Sequence, residues 1–414
     1  METSQSYKVY GYRWVVLALY VLVGTVIQIM WATFFSISIE AGEYYGFTGS
    51  ETEAVAAIDL FSIIFMVGMI VLSVPSFAAF EKFGYKKSVG FGALLMAVGA
   101  MVRGIFGADY NIVLICTILF AIAQPFILNA VGLVAGKWFP ANERATANGL
   151  GLMSNYLGIM VGLILVPVLS KSGTDIPGML LPLGIVTVVA VVIFLIFTRE
   201  EPPTPPCAED ESVRLGFGKG IKDLFKKKDF VLLLLAFFLT LGVFNIFFTK
   251  IEPILKAFGG EHISTLQTGI IGVIVLIVAI VGSVVIPLLS DKDKKRRRKP
   301  YMLICSILGS IGISSMMFMN GFGSLALVAG MYGLFSIGAG PVTMTFAAEI
   351  AYPTSEGTSE GLLLLAGNIA GAVFLAAVGV FGGNYTALMT AIAVMLLVSL
   401  ILMALTNESK KTQH

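Results

Sequence analysis

The sequence predicts an all-α integral membrane protein with twelve transmembrane helices, from its composition, its apolar runs and the placement of its charges. Of 414 residues, 57% are hydrophobic and 13% are charged, whereas soluble domains carry about 25% charged residues. Apolar runs long enough to cross about 30 Å of hydrocarbon recur along the chain. This composition excludes a water-soluble enzyme, a disordered chain and a disulfide-stapled secreted module.

Twelve apolar runs are expected to form the spans, because each is long enough to cross the bilayer at about 1.5 Å per residue. They lie at residues 14–40, 54–80, 87–107, 111–136, 145–170, 179–198, 230–258, 267–290, 300–319, 324–350, 358–381 and 384–406. The first run is too long for a signal peptide and lacks a small-residue cleavage site, so we interpret it as the first span.

Basic residues are concentrated in one set of loops, which fixes the expected orientation. The opposite loops hold only Lys171 and Lys256, and the first of them carries Glu43, Glu51 and Glu53. Loops rich in Lys and Arg remain in the cytoplasm. We therefore expect a multi-pass protein of the cell membrane with both termini in the cytoplasm. The net charge of +2 gives no indication of nucleic-acid binding.

A polar segment at 199–229 interrupts the apolar pattern. It contains a proline-rich stretch at 202–206 and an acidic patch at 209–211, a composition typical of a linker. The linker divides the chain into an N-terminal six-helix bundle at 1–198 and a C-terminal six-helix bundle at 230–414.

An acid followed by bases occurs at equivalent places in the two halves, as EKFGYKK at 81–87 after the second span and DKDKKR at 291–296 after the eighth. This layout resembles the major facilitator superfamily, with Lys294 in place of the usual glycine of the second copy. The resemblance implies two bundles related by pseudo-two-fold symmetry, alternating access and a central binding site.

These inner loops are candidates for a gate, although a solvated basic loop is the alternative interpretation. An acid beside bases can pair with the end of a neighbouring helix and hold one face closed. The side chains expected to hold or release this gate are Glu81, Lys82, Asp291, Lys292, Glu349 and Glu356.

Three further segments carry a more specific resemblance: AQPFIL at 123–128, SNYLG at 154–158 and FAAEIAYPTSEGTS at 346–359. Together they resemble the feline leukaemia virus subgroup C receptor-related transporters, a group of choline and ethanolamine carriers and proposed haem exporters. The resemblance runs from the first span to the eleventh and is strongest at 346–359. The long tails of the animal members are missing, as expected for a prokaryotic relative.

The resemblance implies a choline pocket made of an aromatic cage and two amides. At the matching positions this sequence has Trp31, Tyr156, Asn245 and Asn368, with Gln124 expected nearby. An ammonium over an aromatic face gains about 0.5–2 kcal/mol. Two rings and two amides are therefore present, and the expected substrate is a small amine or quaternary ammonium compound such as choline or ethanolamine.

Each of these residues also has a structural interpretation. Trp31 has the residue type of an interfacial anchor, and Tyr156 and Asn368 are of a kind that joins helices by hydrogen bonds. Asn245 interrupts an apolar run and therefore needs a partner or a cavity. The pairs Gly158-x-x-x-Gly162 and Gly367-x-x-x-Gly371 are interpreted as close helix packing.

The charges near the spans bear on coupling and on substrate. Arg103 is the deepest charge and is expected to snorkel or to pair with Asp59. No carboxylate or histidine lies near the centre of a span, so facilitated transport is expected rather than proton coupling, for which Asp59 and Glu349 are the carboxylates that could serve. Two alternatives stay open: a carrier of a small organic anion that uses Arg103 and Lys250, and a membrane receptor or sensor that does not transport.

No cofactor, metal site or enzymatic activity is predicted. Cys116, Cys207 and Cys305 form no metal-binding or redox pattern, and no catalytic motif occurs. His262 and His414 lie outside the spans, which argues against haem as the substrate. The expected partners are a small-molecule substrate and the lipid bilayer, with the protein acting as a monomer.

Overall fold

The computed structural model describes residues 7–140, 143–206, 222–259, 263–292, 297–352, 354 and 356–407, and these residues contain helices and no strand. The first half holds α1 (Arg13–Ala32), α2 (Ser38–Tyr44), α3 (Glu51–Ile105), α4 (Tyr110–Leu128), α5 (Val131–Trp138), α6 (Arg144–Leu169) and α7 (Ile176–Phe197). The second half holds α8 (Lys228–Thr249), α9 (Ile251–Gly259), α10 (Thr265–Asp291), α11 (Lys299–Ser315), α12 (Phe322–Tyr332), α13 (Gly340–Ala351), α14 (Glu356–Val378) and α15 (Tyr385–Leu405). Short 3₁₀ turns follow α11 and α14 at Met316–Phe318 and Gly379–Phe381.

The described residues contain twelve spans. Eleven helical stretches are long and apolar enough to cross a membrane. One of them, α3, has 55 residues and would extend about 82 Å at 1.5 Å per residue. It bends at Gly84, where φ is 80° and ψ is −179°, a conformation that favours glycine. The prediction of an all-α membrane protein with twelve spans is confirmed.

The prediction of one continuous helix over the first span, at 14–40, was wrong. Helix α1 ends at Ala32, and residues 33–37 form turns before α2 begins at Ser38. The Thr33 hydroxyl donates to the carbonyl of Ile29 at 2.8 Å and so satisfies a group that the end of a helix leaves without a partner. The runs predicted at 111–136, 230–258 and 324–350 are divided in the same way.

The chain divides into two compact units, residues 1–49 with 57–211 and residues 50–56 with 212–414. In the first unit α1 packs on α6, and in the second α8 packs on α14. Both contacts use the predicted glycine pairs. A Cβ at Gly158 would overlap the backbone of α1, and one at Gly367 would overlap a leucine of α8. The interpretation of these pairs as close helix packing is confirmed.

Each unit has an apolar interior and an apolar outer surface. Phe120 and Phe194 are fully buried in the first unit, as is Phe230 in the second. Val71 and Leu327, in contrast, are among many aliphatic side chains that remain largely exposed. Such exposure is expected of helix faces that contact lipid, where every backbone group is already hydrogen-bonded within its helix.

A π-helical turn, Gly333–Ile337, joins α12 to α13. The amide of Gly338 donates to the carbonyl of Gly333 at 3.0 Å, a bond one residue longer than that of an α-helix. This turn lies directly against α10, where a Cβ at Gly282 would overlap the carbonyl of Leu334. The two backbones are therefore in contact without intervening side chains.

Candidate functional site

Trp31 lies in the last turn of α1, inside the first unit. Its side chain is only 8% exposed, and its ring meets Phe35 edge-on with centroids 5.0 Å apart. Its indole Nε1 has no hydrogen-bond partner among the described residues. A buried donor without an acceptor costs about 1–3 kcal/mol. This N–H is therefore suited to an acceptor that a ligand brings.

Two glutamines lie at one depth in the same unit. Gly24 of α1 approaches Leu128 of α4. Helices α1 and α4 run antiparallel, so one turn along each helix from Gly24 and Leu128 brings Gln28 level with Gln124. At this level Gly158 of α6 contacts Gln28. Both glutamine side chains are buried, and neither Oε1 has a partner among the described residues. The bundle thus buries two hydrogen-bond acceptors at the same depth.

Tyr156 lies on α6, two residues before Gly158, and is partly buried. Its neighbour Asn155 has a buried Oδ1 that no described residue contacts by a hydrogen bond. Trp31, Tyr156 and Gln124 share the first unit, but the described residues show no hydrogen bond or ring contact among these three. Their assembly into one cage stays a prediction.

The two predicted amides of the second unit have protein partners. The buried Asn245 on α8 donates from Nδ2 to the carbonyl of Gly367 on α14 at 3.3 Å, and its side chain lies against Gly371. Asn368 donates from Nδ2 to Leu364 of its own helix at 2.9 Å. Asn245 thus has the partner that its burial was expected to need, through an interhelical hydrogen bond, whereas the bond of Asn368 stays within its own helix.

Arg103, on α3, is buried in the first unit with 2% exposure. Its Nη2 donates to Met30 Sδ at 3.0 Å and to Thr33 Oγ1 at 3.3 Å. Its guanidinium carbon lies 4.8 Å from the centroid of the Phe120 ring. The expected ion pair with Asp59 is not among its contacts in the described part of the chain.

At the predicted cytoplasmic end of the first unit, Glu200 closes a network that the sequence did not predict. Its carboxylate accepts from the backbone amides of Tyr85 at 2.9 Å and Lys86 at 2.6 Å, and pairs with Lys137 Nζ at 2.5 Å. A Cβ at Gly84 would overlap this carboxylate, so the glycine leaves the space that Glu200 occupies. The two amides open the second half of α3, where a helix N-terminus favours an anion.

The surroundings of Glu200 also set its charge. Burial raises the pKa of this carboxyl, but the Lys137 ammonium and the two amides outweigh burial and hold the pKa below its usual value. The signals in the sequence were the acids that directly follow the sixth span and the glycine of the EKFGYKK segment. Of the gate residues predicted in that segment, Glu81 and Lys82 are exposed.

At the corresponding end of the second unit, two predicted gate acids share one base. Arg298 pairs with Asp291 and, through Nε, with Glu349 at 3.4 Å. Lys292 is exposed. The side chain of Glu356 lies outside the described residues. A gating role for these residues stays a prediction, and Arg298 is the partner that the sequence analysis had not named.

The fold matches solved membrane transporters over its whole length. A bacterial homologue of the human lysosomal transporter Spinster, in an inward-facing and unoccupied conformation, superposes with a TM-score of 0.74 at 16% identity, and the match covers 98% of each chain. An auto-inhibited POT family peptide transporter matches with a TM-score of 0.67 at 12% identity, covering 95% of this chain and 96% of the other. These matches show that the chain shares the fold of these proteins.

The family follows from the sequence itself. The Major Facilitator Superfamily model matches residues 16–375, and the chain belongs to this family. The protein is thus a multi-pass membrane transporter and not an enzyme.

Three relatives confirm the resemblance inferred from short segments. The choline/ethanolamine transporter FLVCR2 of Homo sapiens is 29% identical over 403 residues, covering 93% of this chain and 74% of the relative. The choline/ethanolamine transporter FLVCR1 of Felis catus is 29% identical over 393 residues, covering 90% and 68%. Solute carrier family 49 member A3 of Danio rerio is 28% identical over 387 residues, covering 90% and 79%.

Proposed function

We propose that the protein carries choline, ethanolamine or a closely related small amine across the cell membrane, with the cationic end of the substrate against Trp31. The observation that carries this proposal is the buried Trp31 ring with its unpartnered N–H. The names of the relatives FLVCR1 and FLVCR2 support the substrate class.

The chemistry of the first unit suits such a substrate. The face of an indole ring attracts a quaternary or primary ammonium, with a gain of about 0.5–2 kcal/mol. The unpartnered Oε1 atoms of Gln28 and Gln124 accept hydrogen bonds from a hydroxyl or a primary ammonium. Ethanolamine offers both kinds of donor, whereas choline offers only its hydroxyl. A pocket with these acceptors should therefore bind ethanolamine more tightly than a pocket made only of aromatic rings would.

We propose facilitated transport by a monomer, with both termini in the cytoplasm. Proton coupling usually needs a carboxylate or histidine that changes charge within the membrane. Glu349, at the end of its span, is engaged by Arg298, and both histidines of the chain lie outside the predicted spans. The proposed cycle uses no coupled ion, and the buried Asp59 of α3 is the carboxylate that would carry the proton if transport were proton-coupled.

A carrier of small organic anions is the second candidate, because Arg103 and Lys250 are buried cations. The contacts of Arg103 are within the first unit, on Met30 and Thr33. This arrangement favours a structural role for Arg103, so the amine is the leading candidate.

Uptake into proteoliposomes tests the proposal, with radiolabelled choline, ethanolamine, betaine and acetate as substrates. Trp31→Ala should weaken amine affinity about 2- to 30-fold, the equivalent of the cation–π gain, and Trp31→Phe should weaken it less. Trp14→Phe, which changes an exposed tryptophan of the same helix, serves as the matched control. Uptake of acetate without uptake of either amine would overturn the proposal in favour of the anion carrier.

A further inference from the structure

Arg103 is a buried cation with an unusual set of neighbours. Its Nη2 contacts the thioether of Met30 and the hydroxyl of Thr33, and its guanidinium lies over the Phe120 ring. Its Nε is buried without a hydrogen-bond partner, and Arg103 forms no ion pair with a carboxylate of the described residues. An isolated charge in a low-dielectric interior is costly, so this geometry requires compensation.

Part of that compensation comes from the end of α1. The last carbonyls of a helix carry partial negative charge and stabilise a nearby cation. The Thr33 hydroxyl connects the Arg103 guanidinium to the end of α1. It accepts from Arg103 Nη2 at 3.3 Å and donates to the carbonyls of Ile29 at 2.8 Å and Met30 at 3.0 Å. Hydrogen bonds arranged in a chain polarise and strengthen one another.

The two residues that Arg103 contacts on α1 lie on either side of Trp31. Met30 precedes the tryptophan and Thr33 follows it by two positions, at the point where α1 ends and the turns of 33–37 begin. A helix end followed by turns is free to fray unless side chains hold it. Arg103 holds this end from α3, an element that does not otherwise carry the candidate site.

We propose that Arg103 is a positioning residue, which fixes the last turn of α1 through Met30 and Thr33 and so fixes the orientation of the Trp31 ring. This inference rests on the proposed function, in which Trp31 binds the substrate. Arg103 itself does not contact the substrate. Its effect on transport therefore arises as a loss of affinity, with the maximal rate preserved.

Substitutions at Arg103 and Thr33 separate this role from simple structural support. Arg103→Lys keeps the charge but removes the planar guanidinium, whose Nη2 reaches Met30 and Thr33 while its plane lies over the Phe120 ring. Thr33→Val removes the hydroxyl with little change of shape, and Thr33→Ser keeps it. Thr187→Val is the matched control, because Thr187 is equally buried in the same unit and its hydroxyl donates only to Leu183 of its own helix at 2.7 Å.

Trp31 supplies a direct reporter. The chain has three tryptophans, so Trp14→Phe with Trp138→Phe leaves Trp31 as the only one. Its emission maximum and its quenching by acrylamide are measured without substrate and then during titration with choline. KM and the maximal uptake rate are measured in proteoliposomes with all three tryptophans present, so that the result does not depend on the double substitution.

Arg103→Lys and Thr33→Val should each change Trp31 emission without substrate and raise KM about tenfold, as expected for the loss of one charge-assisted hydrogen bond. The maximal rate should stay within about twofold. Thr33→Ser and Thr187→Val should leave both readouts unchanged.

Unchanged Trp31 emission and unchanged KM in both Arg103→Lys and Thr33→Val would overturn the positioning role. If choline and ethanolamine leave Trp31 emission unchanged and Trp31→Ala leaves uptake unchanged, the proposed function fails instead. In that case the emission of the substrate-free protein still decides whether Arg103 orients the ring.

Discussion

The Glu200 network gives the sharpest test of how one end of the first unit is stabilised. Glu200→Gln keeps the size of the side chain and one amide acceptor but removes the negative charge. The variant loses the ion pair with Lys137 and weakens the bonds from the amides of Tyr85 and Lys86. The substitution should therefore destabilise the first unit at neutral pH.

The expected magnitude follows from the exposure of the pair. A hydrogen bond to a charged group contributes about 1.5–3 kcal/mol when buried, whereas an exposed ion pair contributes about 0.2–1 kcal/mol. The Glu200 side chain is 34% exposed and that of Lys137 is 35% exposed. The lower end of each range therefore applies, both to the ion pair and to the hydrogen bonds from the two amides. We expect a loss of about 1–2 kcal/mol, or about 2–8 °C in Tm for a unit of 150–250 residues.

The pH dependence has a definite sign. Folding lowers the pKa of Glu200, so its contribution is fully present above the unfolded pKa and is lost as the pH falls through the folded value. The difference in Tm between the wild type and Glu200→Gln should be constant near pH 7 and should shrink below about pH 4.

Thermal unfolding of the detergent-purified protein, followed by intrinsic tryptophan fluorescence between about pH 3 and 8, measures this difference. Glu201→Gln is the matched control, because Glu201 is 70% exposed and lies 4.0 Å from the same Lys137 ammonium. It should shift Tm by less than about 1 °C. Equal shifts for the two variants at pH 7, or a Glu200→Gln shift that is undiminished at about pH 3, would refute the reasoning.

Two further predictions concern helix packing and coupling. Gly158→Ala should lower the stability by about 1–3 kcal/mol, which is more than the loss expected for Gly367→Ala. The new methyl meets the Thr25 carbonyl in the first case and the movable Leu241 side chain in the second. Comparing the Tm values of the two variants in detergent checks this order, and the reverse order would contradict it. An inward proton gradient should leave choline uptake into proteoliposomes unchanged, because transport is proposed to be facilitated. Proton-driven accumulation that collapses with a protonophore would show proton coupling instead.

The spans were predictable from sequence because crossing a bilayer demands about twenty apolar residues in a row. The breaks were not. Residues 33–37 read TFFSI, which is as apolar as the helix before them, so hydropathy does not register the end of α1. For the same reason hydropathy predicted α8 and α9 as one run, although Lys250 marks the boundary between them in the sequence.

The site was predictable only in part, because its contacts join residues far apart in the chain. The buried amide of Asn245 was expected to need a partner, but its partner is the carbonyl of Gly367, 122 positions away. The expected partner of Arg103 was a carboxylate, and the structure gives it a thioether and a hydroxyl. No residue-type pattern indicates a backbone carbonyl or a methionine as the partner of a particular side chain.

The π-helical turn of 333–337 also has a consequence for how this helix is compared with others. Hydrogen bonds between residues five positions apart, instead of four, mean that this turn holds one residue more than an α-helix of the same rise. Residues after Ile337 are therefore rotated by about 100° relative to an uninterrupted helix, which changes the face that Thr343 and Glu349 present. A homologue that lacks this extra position would align correctly only with a one-residue gap in this turn. Deletion of Ser336 would be the corresponding change in this chain, and it would turn the C-terminal half of the tenth span about its own axis.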